Sequence, residues 1–96
     1  MSDVEYARRA TARFVQALTE LECGHWVYTG GSLTTAAAAV VDARQAAVVA
    51  WVATGECPEE AQEITWRAMY DSAWGTDHEP TYRKAVRILR DKRRKA

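Results

Sequence analysis

The chain has 96 residues, 48% of them apolar, and its 13 basic and 13 acidic side chains cancel. That length makes one domain, residues 1–96, and that apolar share excludes disorder for most of it. Two cysteines at unrelated positions make no disulfide framework, and an N-terminus reading MSDVEYARRA carries no apolar run of a secretory signal, so the expectation is a cytoplasmic protein with free thiols.

The first helix is expected over about 2–22. Ser2 with Glu5 three residues on is a capping box, the hydroxyl serving an orphan amide and the carboxylate reaching back to the cap. At 100° per residue Val4, Ala7, Ala10, Phe14, Val15, Ala17, Leu18 and Leu21 share one face. A corner, LECGHWVYTGGS, follows. Its glycines free the chain before Ser32 caps the next helix, and Trp26 and Tyr28 are expected to cover the end of the core.

The second helix, about 32–54, is alanine-rich and apolar almost all round. A helix without a polar stripe is central in a bundle or lies in a membrane. Asp42 and Arg44 near its middle argue against lipid, where each costs several kcal/mol. The third helix, about 58–74, starts at Pro58 with Glu59 and Glu60 at the positive end of its dipole. Its apolar residues cover roughly 240–280° of the helical wheel, more than one packing face needs. Trp66, Tyr70 and Trp74 line one side at i, i+4 and i+8. The fourth helix, about 80–92, has Tyr82, Ala85, Val86 and Leu89 as its stripe, and 90–96 is expected to be a frayed basic tail.

Charge is divided along the chain. Residues 81–96 carry Arg83, Lys84, Arg87, Arg90, Lys92, Arg93, Arg94 and Lys95 against Asp91 alone, a net +7, and residues 1–80 therefore sum to −7. Most of the acid lies between Glu56 and Glu79. The basic end either neutralises phosphates or pairs with the acidic third helix before it.

Metal and thiol chemistry find weak support. Cys23, His25 and His78 are the candidate ligands, with Asp77 and Glu79 near them if the helices alternate up and down. Cys57 lies a helix length from Cys23, roughly 30 Å, so one four-ligand site is excluded. The spacing matches no standard zinc pattern or nucleophile–base motif, and no metal, cofactor or catalysis is expected. GGS before a helix lacks the Gly-Lys-Ser/Thr ending of a phosphate loop. A helix-turn-helix reading fails because its recognition helix would begin PEEAQE and repel phosphates.

These residues point to an all-α domain, a compact bundle of four helices with the second central and the fourth basic. The expected function is a non-catalytic protein-binding module, homodimeric through its second and third helices. Trp66, Tyr70 and Trp74 would anchor the partner, rimmed by Glu59, Glu63 and Arg67. The alternative is a nucleic-acid-binding accessory protein using Arg83, Lys84, Arg87, Arg90 and Arg94. A short chain without a catalytic motif also fits the profile of phage or mobile-element accessory proteins, an expectation no single residue carries.

Overall fold

The computed structural model describes residues 2–28, 30–70 and 78–95. Among them lie five helices and no strand: α1 (Asp3–Cys23), α2 (His25–Tyr28), α3 (Leu33–Ala53), α4 (Pro58–Ala68) and α5 (Glu79–Lys95). The chain is a small all-α domain. Five helices appear where four are expected because the first corner coils into the single turn α2.

α1 starts where its cap dictates: the Ser2 hydroxyl accepts from the Glu5 amide at 3.1 Å. The reciprocal half of the capping box is absent, because the Glu5 carboxylate pairs with Arg9 one turn on. Gly24 closes the helix in the left-handed region, φ 71°, which glycine adopts without a Cβ penalty. After α2, the Gly31 amide donates to the Trp26 carbonyl at 2.9 Å and reverses the chain. Trp26 packs on the core as expected. Tyr28 does not: it is 86% exposed, on the outer side of the one-turn helix. Ser32 then caps α3, accepting from the Thr35 amide.

α1 and α3 lie antiparallel. Ala7 and Ala10 of α1 meet Ala47 and Ala50 of α3 in one buried cluster. Phe14, Leu18 and Leu21 meet Ala37 and Val40 in a second cluster, joined by Met69 and by Ala85 of α5. The indole N–H of Trp51 donates to the Thr11 hydroxyl at 2.8 Å and ties the pair beside the alanine cluster. α3 packs against α1, α4 and α5, so it is central. It is not enclosed, however. Ala39, Asp42, Ala46, Val49, Val52 and Ala53 are exposed along its outer side.

Two boundaries differ from expectation. α4 ends at Ala68, not at 74. The Met69 and Tyr70 amides bond to the Trp66 and Arg67 carbonyls, a tightened last turn, and the Met69 carbonyl accepts from the His78 amide instead of continuing a helix. α5 runs on to Lys95, past the expected end at 92, so the residues expected to fray are helical through Lys95. Arginine and lysine are good helix formers, and cations near a helix C-terminus interact favourably with its dipole.

Candidate functional site

The convergence of α3, α4 and α5 is held by Arg44. Its Nη1 donates to the Tyr82 hydroxyl at 2.8 Å and its Nε to the Thr65 hydroxyl at 3.3 Å. Thr65 is fully buried, and it in turn donates to the Gln62 carbonyl. The Arg44 guanidinium also lies over two rings, 5.5 Å from the centroid of Trp66 and 4.9 Å from that of Tyr82. The rings pack edge to face, Trp66 on Tyr82 at 6.2 Å and Tyr82 on Phe14 at 6.0 Å. An arginine in the middle of an apolar helix thus serves as the joint between three helices, its charge spread over aromatic faces and hydroxyls.

On the outer side of that joint is an open cleft of about 370 Å³, lined by Trp66, Tyr82, Arg83, Val86, Arg87 and Arg90. Trp66 and Tyr82 are half-buried against the core and make its floor. Val86, 39% exposed, extends the apolar surface into the row of arginines. The row follows from helix geometry: Arg83, Arg87, Arg90 and Arg94 fall within about 60° of one another and span about 16 Å of axis. Glu79 accepts from Arg83 Nε and Nη2 at 2.8 and 2.6 Å, which sets the Arg83 guanidinium 5.9 Å from the Trp66 centroid. Tyr70 donates its hydroxyl to the same carboxylate. The Tyr70 hydrogen bond first, and then Arg83, hold the Glu79 carboxyl below its ordinary value.

Arg87, Arg90, Arg94 and Lys84 make no ion pair among the described residues. The acidic helix does not neutralise them. Glu63 pairs with Arg67 in its own helix at 3.2 Å, and Glu59 is exposed. Arg67 also borders a second groove, between α1 and α4, with Ile64, Ala68 and Val15. Of the expected interface anchors, Trp66 sits in the cleft floor, Tyr70 is 42% exposed and bonded to Glu79, and Trp74 lies outside the described residues. Because α4 ends at Ala68, the i, i+4, i+8 row does not run along one helix.

His78 is buried and its Nδ1 is 2.6 Å from Glu22 Oε1, which also accepts from the Thr81 hydroxyl. Cys23 is exposed. His25 starts α2, and Asp77 lies outside the described residues. Among the described residues no three metal-ligating side chains converge.

Arg44 and Glu22 are the members of this constellation that the sequence left unsignalled, since each acts on a residue more than twenty positions away, and Tyr82 is signalled only as part of the stripe of the fourth helix. No family model, curated protein or solved structure matches the chain. What the site does is therefore read from its own geometry.

Proposed function

We propose that the protein is a non-catalytic binding module that holds the phosphate backbone of nucleic acid on the outer face of α5. One observation carries the reading: Arg87, Arg90 and Arg94 form a row without acidic partners among the described residues, although an acidic helix precedes them in the chain. A row that existed only to orient internal packing would face that acid. Backbone binding of this kind releases counterions, so affinity falls steeply with salt. With about four phosphates neutralised, affinity should drop roughly 100-fold between 50 and 200 mM salt. Replacing Arg87, Arg90 and Arg94 together by alanine should remove most of the affinity and flatten that slope. Salt-independent binding, or binding that survives the triple variant, would defeat the proposal.

A second reading is self-association through α3. Val49 and Val52 are 57% and 40% exposed on its outer side, among Ala39, Ala46 and Ala53. α3 is long and apolar enough to cross a membrane, with 22% of its most apolar window buried. Asp42 on that face and the engagement of Arg44 with Thr65 and Tyr82 favour a second protein surface over lipid. A second copy would leave the α5 row free. Sedimentation should give a dimer that Val49→Glu converts to a monomer; a wild-type monomer at all concentrations would end this reading. The protein-docking role of Trp66, Tyr70 and Trp74 has less to support it, because α4 ends at Ala68, Tyr70 beyond it is bonded to Glu79, and Trp74 lies outside the described residues.

A further inference from the structure

The arginine row alone would bind duplex and single strand alike, because phosphates are common to both. The cleft within the row is different. Its floor is apolar and aromatic, from Trp66, Tyr82 and Val86, and its rim is cationic, from Arg83, Arg87 and Arg90. Water-exposed apolar surface between arginines gains nothing from phosphate. It gains from a flat, apolar, polarisable group attached to phosphates, which is an unpaired base. A paired base is stacked inside its duplex and has no face to offer. The about 370 Å³ of the cleft falls at the lower end of the range for small-ligand sites, and guanidiniums beside aromatic rings are the pairing that single-strand binders use.

We propose that this cleft takes one unpaired base of a single-stranded nucleic acid, with the phosphates on either side held by Arg87 and Arg90. The proposal rests on the backbone reading above and adds the strand state of the ligand. Trp66 gives the stacking surface. Arg44 and Tyr82 are positioning residues, Arg44 lying over the Trp66 ring and Tyr82 meeting it edge to face. Arg83, held by Glu79, bounds the site on its α4 side.

The test is fluorescence anisotropy on the full chain at low salt with three probes of one length: an oligothymidylate, the same backbone without bases, and a duplex. Base stacking is worth about 5- to 150-fold per base. The oligothymidylate should therefore bind at least about 5-fold tighter than the abasic strand. It should also bind tighter than the duplex. Trp66→Leu, checked for folding by circular dichroism, should erase the preference while keeping abasic binding and its salt slope. Val86→Trp, at an exposed position, should widen the preference. Equal affinity for oligothymidylate and abasic strand, or for single strand and duplex, overturns the proposal and leaves the backbone reading standing. No binding to any probe at low salt overturns both. An acidic amphipathic peptide that binds more tightly than every oligonucleotide and displaces them would make the cleft a protein site and overturn it as well.

Discussion

The α1–α3 pair is packed in two ways along its length. At one end the buried residues are all alanine, Ala7 and Ala10 against Ala47 and Ala50, with Trp51 beside them. At the other end they are Phe14, Leu18, Leu21 and Val40 with Ala37, and Met69 and Ala85 are brought in from beyond the pair. The helices are the same two, so intrinsic propensity does not explain the change. The number of elements meeting does. Where the cluster draws on α1 and α3 alone, short side chains let the backbones approach and leave little volume to fill. Where α5 and the end of α4 also converge, the space between four segments needs large side chains at interior density. The cleft leans on the second kind of packing, since Trp66 and Tyr82 rest on the large cluster.

The difference can be broken from either side. The largest effect is expected from Phe14→Ala. Phe14 is fully buried and meets the edge of Tyr82, and its loss should cost about 3–5 kcal/mol. It should also weaken oligonucleotide binding by the folded fraction, because Tyr82 loses its support. At the alanine end the sensitive change is the opposite one. Ala47→Leu adds three heavy atoms where no exposure exists, and overpacking should cost about 1–3 kcal/mol. Binding by the folded fraction should stay at the wild-type value. Urea unfolding followed by anisotropy separates the two cases. If Ala47→Leu costs nothing, the alanine end is not closely packed and the contrast fails.

Glu22→Ala sharpens the large end. It leaves buried His78 without its carboxylate partner and Thr81 without an acceptor, at about 1–3 kcal/mol. Because Glu22 ties the end of α1 to the start of α5, the loss should appear as earlier hydrogen exchange at the first turn of α5. Uniform exchange across the domain would contradict that local role. Ser32→Ala should cost about 1 kcal/mol, the usual worth of an N-cap, with no effect on binding, since no residue of the corner at α2 lines the cleft.

What the sequence disclosed follows the same division. The stripe of α1 is legible because it is local: Ala7, Ala10, Phe14, Leu18 and Leu21 recur at helical spacing and are buried, Val15 and Ala17 are partly buried, and Val4 in the first turn is exposed. Ser32 and Pro58 are legible for the same reason, each acting within one turn. The wide apolar arc expected of one helix over 58–74 is a different matter. It mixes residues of α4 with Met69 and Tyr70, which lie past the helix end and answer to His78 and Glu79. Periodicity counts the apolar sides of a helix but not its neighbours. That is why α3 reads as enclosed although one side is open, and why Arg44 reads as an isolated charge although it joins three helices. The arginine row of α5 is fully legible as a pattern. Its freedom from the acidic helix is not, because pairing between helices depends on where each one ends.

The smallest effect lies at the edge of the large cluster, where Glu79 connects Tyr70 to Arg83. The Tyr70 hydroxyl, and next the Arg83 guanidinium, favour the ionised carboxylate and lower its titration from the ordinary 4.5. A carboxyl lowered in the folded state binds its proton more readily when unfolded. Its stabilising share is therefore complete above pH 4.5 and is lost as the pH falls through the lowered value. Wild type should exceed Glu79→Gln in stability above that range and converge with it below. Within the same range protonation frees Arg83, and backbone binding should rise rather than fall. A carbon-detected titration of the Glu79 carboxyl measures this directly. Tyr70→Phe should move its midpoint up toward 4.5, since the tyrosine hydrogen bond is the first cause, and Arg83→Gln should move it in the same direction. A midpoint that moves with Arg83→Gln alone would mean that the salt bridge, not the tyrosine, fixes this carboxylate.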